Sequence, residues 1–79
     1  MSNGYIRRIR DLRIDHDMTQ SEVAKYLGTS QTMYARYERG ANELPIRHLI
    51  ALCILYNVSS DYVLCLGEVQ VKSTDKKRF

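Results

Sequence analysis

The stretch TQSEVAKYLGTSQTMYARYERG, residues 19–40, decides the fold. Thr19 followed three residues later by Glu22 is a capping box: the hydroxyl accepts a first-turn N–H, and the carboxylate reaches back to the cap's own N–H. Met18 before the cap and Val23 after it supply a hydrophobic staple that fixes the angle of entry. Such a cap contributes roughly 1 kcal/mol. Gly28 after Leu27 is a left-handed stop. Only Gly28 and Thr29 then precede Ser30, the N-cap of a second short helix that Gly40 ends in the same way. Two helices joined by so tight a glycine turn cross steeply, as in a helix-turn-helix. Ala24, with its small side chain, lets them approach.

Outward from this core, Tyr5, Ile9, Leu12 and His16 follow the rhythm of one buried helical stripe, which predicts a helix over about 5–16. Arg7, Arg8 and Arg10 lie off that stripe and Arg13 borders it. Downstream, ANELP (41–45) is the longest interior linker, and Pro45 is tolerated in the first turn of a fourth helix that runs to about Tyr56. Ser59 caps a fifth helix, with Asp61 in its first turn and Val58 and Val63 as a second staple. Past Gly67 the pattern fades. The expected architecture is all-α, a five-helix domain over residues 1–67 with the motif at about 20–39. A basic tail over 68–79 is expected to be mobile.

Composition excludes several classes. A chain of 79 residues is near the lower limit for one unstapled core. Its two cysteines, Cys53 and Cys65, form neither a CxxC pair nor a ladder, which argues against a disulfide scaffold or a zinc module and favours a reducing compartment. The separations of His16, His48 and the cysteines match no metal-ligand spacing. No apolar run approaches the roughly 18 residues of a membrane span. MSNGYIRRIR has no apolar segment behind its charges, so a cytoplasmic chain without a secretory leader is expected. No phosphate loop, paired catalytic carboxylates or nucleophile–base set occurs, so an enzyme is not expected, nor is a cofactor or small-molecule ligand. The net charge of +3 is weak support for a nucleic-acid partner, because residues 72–79 contribute all of it and residues 1–71 balance. Any such case must come from where the charges sit.

They sit unevenly on the third helix. Winding residues 31–39 at about 100° per residue gathers Met33, Tyr34 and Tyr37 in one sector and Gln31, Thr32, Ala35, Arg36 and Arg39 opposite. That outer surface contains no acid, and Glu38 turns back toward the bundle. The first turn, Gln31 to Met33, also lacks the acid that usually favours a helix N-terminus, which leaves the positive dipole end open to anions. Glutamine and arginine can read adenine and guanine edges. An ordinary solvated face fits the same pattern. The tyrosines at 34, 37, 56 and 62 fall on core-facing positions, which fits core packing better than stacking on single strands.

The stretch resembles the helix-turn-helix core of the Cro and phage-repressor (XRE-like) family of DNA-binding regulators. Leu12 and Arg13 precede it at family spacing, and LPIRHLIALCILYNVSSDYVL (44–64) resembles the family's fourth and fifth helices, so the likeness covers about residues 5–67. It implies that Ser30, Gln31, Thr32 and Arg36 contact bases in the major groove of double-stranded DNA. Arg10, Gln20, Arg39 and Asn42 match phosphate-contacting positions. Arg13 and Glu38 match a structural ion pair between the first and third helices. The chain departs from the family at Asp17, where a bend glycine is usual, and at Cys53 and Cys65, where alanine and glycine are common and small core fillers are expected. Ile54 stands where lysine is common.

One such domain reads few base pairs, so a homodimer on a near-palindromic operator is expected, with half-sites about 34 Å apart. Ile54, Leu55 and Leu66 form the expected dimer patch. The main alternative is a protein-interaction module on the same fold, an antitoxin or anti-repressor. Its partner-binding face would tolerate acids or bulky apolar groups where this one has neither.

Overall fold

The computed structural model describes residues 4–66, all helix and connections: α1 (Gly4–Asp15), α2 (Gln20–Leu27), α3 (Gln31–Arg39), α4 (Ile46–Tyr56) and α5 (Ser60–Leu64). The tail over 68–79 and Gly67 lie outside the described residues. α2 packs most closely on α3; α1 lies against α3 and α5, and α4 against α5 and α2.

The capping chemistry is realised bond for bond in α2. Glu22 N donates to Thr19 Oγ1 at 3.0 Å, and Thr19 N donates to Glu22 Oε1 at 2.8 Å. Gly28 has φ 78° and Gly40 φ 79°, the left-handed region that a Cβ disfavours. At Gly40 space is short as well, since a Cβ there would lie 2.8 Å from Ile6 Cδ1. Ser59 caps α5 by accepting from Tyr62 N at 3.1 Å. Ile9, Leu12, Val23, Ala24, Tyr34, Tyr37, Leu52, Tyr56 and Val63 form one core drawn from all five helices, with the staple residues Met18 and Val58 packed on it.

Five local expectations change. His16 is exposed rather than on the buried stripe, because α1 stops at Asp15 and Asp17 turns left-handed at φ 57°. Its ring lies tilted on Tyr56 instead, with centroids 4.8 Å apart. Tyr62 is half-exposed rather than in the core, with the Arg8 guanidinium 4.2 Å above its ring and Arg8 Nη1 donating to the Tyr62 carbonyl. Pro45 sits one position before the expected first turn, as the extended N-cap residue of α4. α5 closes at Cys65 rather than near Gly67. Cys53 packs against the core as a partly buried filler, but Cys65 is the left-handed C-cap of α5 at φ 61°. That conformation explains why glycine suits position 65.

Candidate nucleic-acid interface

α3 is anchored by Tyr34 and Tyr37, both buried, and turns Gln31, Thr32, Arg36 and Arg39 outward as exposed side chains. Its first turn contains no acidic residue. Ser30 Oγ accepts from Met33 N at 3.0 Å, and the hydroxyl proton remains available to a ligand oxygen. The N-terminal end of α3 therefore presents donors without a competing carboxylate.

Behind this edge lies a polar hub. The Glu38 side chain is only 4% exposed, and four donors converge on it. Arg13 Nε donates to Oε2 at 2.7 Å and Arg13 Nη2 to Oε1 at 3.2 Å. The Tyr34 hydroxyl donates to Oε2 at 2.6 Å, and Gln20 Nε2 to Oε1 at 3.0 Å. Arg13 Nη1 also donates to the Met18 carbonyl at 2.9 Å, tying the hub to the α1–α2 bend. Burial alone pushes the Glu38 carboxyl upward, but hydrogen bonds from Arg13, Tyr34 and Gln20 outweigh it and hold it below its ordinary value. Burial, then the bond to Glu38, raises the Tyr34 hydroxyl far above its usual range, so it stays a donor.

The hub reaches the surface through two glutamines. Gln31 Nε2 donates to Gln20 Oε1 at 2.8 Å, which joins the first residue of α3 to the first residue of α2. The geometry also pairs two residues that the resemblance gave separate roles, since Arg36 Nε donates to Asn42 Oδ1 at 2.7 Å. Asn42 is held there because the backbone N–H groups of Ala41 and Asn42 both close on the Arg36 carbonyl. Arg36 keeps its two terminal amino groups free for a further partner.

Arg10 and Arg39 lie on one cleft of about 380 Å³, lined also by Ile6, Arg7 and Glu38. Arg7 is the addition here, and its signal was present as the residue one turn before Arg10. Since Glu38 is taken up by the hub, the cleft is net basic. Among the described residues no group of three histidine, cysteine or acidic side chains is placed to hold a metal.

On α4 and just past α5, Ile54 is 69% exposed and Leu66 is exposed, whereas Leu55 is half-buried against the core. Ile46 and Ile50 are also exposed. With Ile54 they form an unbroken apolar stripe along α4, legible as isoleucine at i, i+4 and i+8.

The chain is similar to several known proteins. The helix-turn-helix family profile matches residues 9–63. The chain is 33% identical over 73 residues to YobD of Bacillus subtilis, described as an uncharacterised HTH-type transcriptional regulator, covering 92% of this chain and 65% of that one. It is 37% identical over 62 residues to the antitoxin PezA of Streptococcus pneumoniae, covering 78% and 38%. It is 35% identical over 51 residues to the cryptic phage CTXphi transcriptional repressor RstR of Vibrio cholerae, covering 65% and 46%. The chain thus spans between 38% and 65% of the length of these relatives.

Proposed function

The chain belongs to the helix-turn-helix family of the Cro and phage-repressor type, and from that premise we propose that it binds double-stranded DNA as a sequence-specific transcriptional regulator. The observation that carries this reading is the exposed, acid-free edge of α3, set between a helix N-terminus and a basic cleft. In the proposed complex α3 lies in the major groove, and Gln31, Thr32 and Arg36 face base edges, with Ser30 beside them. Arg10 and Arg39, joined by Arg7, meet phosphates from the cleft. Asn42 holds Arg36 while contacting the backbone itself. Gln20 has one N–H left after its bonds to Gln31 and Glu38, which suits a phosphate oxygen next to the α2 N-terminus.

Occupying an operator in this way blocks transcription, so the regulator is proposed to be a repressor; RstR, one of its relatives, is named as one. It acts as a homodimer on a near-palindromic site. Its two copies meet through exposed apolar side chains, Ile54 and Leu66, with Leu55 supporting them from beneath.

The second reading, a protein-interaction module, is favoured by the likeness to PezA, an antitoxin. The exposed isoleucines of α4 would then hold a protein partner. Fluorescence anisotropy on a random-sequence duplex across a salt series separates the two. A DNA reader binds with an affinity that falls steeply as salt rises, because several arginines release counterions. Binding that is absent at moderate ionic strength leaves the interaction-module reading standing.

A further inference from the structure

Three groups run in line from the interior to the surface: the Glu38 carboxylate, the Gln20 amide and the Gln31 amide. The direction of the hydrogen bonds along this line is dictated chemically. An ionised carboxylate has no proton to give, and Glu38 is kept ionised by Arg13 and by the donors around it. Gln20 must therefore turn its N–H inward and its carbonyl outward. Gln31 can meet that carbonyl only by donating. Its own carbonyl and its second N–H are then left over, side by side, on the exposed edge.

From this geometry we infer that Glu38 is a positioning residue that sets the hydrogen-bond polarity of Gln31 and thereby which purine α3 accepts. The inference rests on the DNA-binding reading above. An acceptor beside a donor complements adenine, which offers N6–H and N7 in the major groove. Guanine offers two acceptors there, O6 and N7, and suits a glutamine whose two N–H groups are both free. Gln31 would present that second pattern only if it were tied to Gln20 through its carbonyl. The buried carboxylate forbids this arrangement.

Glu38→Gln tests the point because it keeps the shape and changes one atom. Arg13 Nε and the Tyr34 hydroxyl donate to Oε2 at 2.7 and 2.6 Å, so the remaining oxygen stays there and the new amide nitrogen takes the place of Oε1, giving up only the longer 3.2 Å bond from Arg13 Nη2. It then donates to Gln20, which turns over and offers its N–H to Gln31. Gln31 answers with its carbonyl, and the whole line reverses.

The experiment is a competition binding assay on a duplex selected from a random pool by the wild-type chain, with all four base pairs tried in turn at each position. The wild type is expected to prefer adenine to guanine at one position by roughly 5- to 150-fold, the range that a bidentate base contact supports. Glu38→Gln abolishes or inverts that ratio at that position alone. Gln20→Ala, which cuts the line, flattens the ratio without inverting it. In a Gln31→Ala background Glu38→Gln changes no base preference at all. A ratio of affinities is insensitive to uniformly weaker binding or to a smaller folded fraction. Should Glu38→Gln fail to fold, the Gln20→Ala ratio alone decides.

Three outcomes overturn the inference while leaving DNA binding intact. They are an unchanged ratio in the Glu38 or Gln20 variant, the same Glu38 effect without Gln31, and a wild type that nowhere prefers adenine to guanine. A wild type with no salt-dependent affinity for DNA overturns instead the reading beneath it.

Discussion

Where α1, α2 and α3 meet, the bundle closes around a carboxylate; α4 and α5 bury His48, Leu52, Tyr56 and Val63 and no carboxylate. The same residue type shows the difference. The Tyr34 hydroxyl donates to Glu38 at 2.6 Å, whereas the Tyr56 hydroxyl is buried with no hydrogen-bond partner among the described residues. Burial also raises the Tyr56 hydroxyl, to about 12. Hydrogen bonds have direction and dispersion has none. The polar half can therefore hold surface amides at a chosen angle, while the apolar half supplies cohesion and tolerates change. The edge proposed to read bases sits on the half that fixes angles.

The largest test breaks the polar half outright. Glu38→Ala strands Arg13 and removes the acceptor shared by Tyr34 and Gln20. It should cost about 3–5 kcal/mol in urea unfolding, the usual cost of breaking a buried pair from one side. The same carboxylate gives the fold a pH signature. Because its pKa is lower in the folded chain than in the unfolded one, the folded state binds fewer protons. Its contribution is complete above the ordinary carboxylate range and is lost as pH falls through that range toward the lowered folded value. Glu38→Gln should remove this component of acid sensitivity. An acid limb identical to that of the wild type would show that other carboxylates set it.

A smaller effect compares the two tyrosines directly. Tyr34→Phe deletes a hydrogen bond to a charged acceptor and should cost about 1.5–3 kcal/mol. Tyr56→Phe deletes an unpaired hydroxyl and should change stability by less than about 0.5 kcal/mol, or raise it. Equal losses in the two variants, measured by the same urea titration, would remove the distinction drawn between the halves.

The two halves were also unequally legible in the sequence. Caps and stops are local signals, so Thr19 with Glu22, Ser30, Ser59, Gly28 and Gly40 defined their helix ends from neighbours a few residues away. The outward set Gln31, Thr32, Arg36 and Arg39 followed from helical angle alone. The inward turn of Glu38 was legible too, but not its company. Gln20 lies 18 residues from Glu38 and 11 from Gln31, and no periodicity encodes a side-chain bond across a helix crossing. His16 and Tyr62 failed for a related reason. Angular position holds only while the helix continues, and His16 lies just past the end of α1 while Tyr62 lies in the five-residue α5.

Next in size come two of the three left-handed non-glycine residues among the described ones, one in each half. Asp17 at φ 57° is exposed, so Asp17→Gly relieves backbone strain and gives up no packing. It should raise stability by about 0.5–1 kcal/mol, a gain reduced by the greater freedom of glycine in the unfolded chain. Cys65 at φ 61° is half-buried, and a Cβ on Gly4 would lie 3.3 Å from its sulfur. Cys65→Gly gains the same relief but loses that packing, so its net effect should lie near zero. Thermal unfolding of both variants checks the order. A larger gain at Cys65 would mean that its side chain contributes nothing to the apolar half.

The smallest effect on the fold is expected from Ile50→Lys, and it tests what the apolar half is for. Ile46, Ile50 and Ile54 are 71%, 55% and 69% exposed, so the core does not need them. Unfolding of the dilute protein should shift by no more than about 0.5 kcal/mol, as for other surface positions. Association is different. Antiparallel pairing of two such stripes about Ile50 would set each Ile46 against the partner's Ile54, the self-complementarity that a two-fold interface requires. A lysine at the centre would bury a charge at that contact. Sedimentation velocity across a concentration series should then show a dimer for the wild type and a monomer for the variant, with affinity for a near-palindromic duplex falling more than affinity for a single half-site. An equal fall on both duplexes would place the isoleucines outside the dimer contact and return that role to Leu66 and the end of α5.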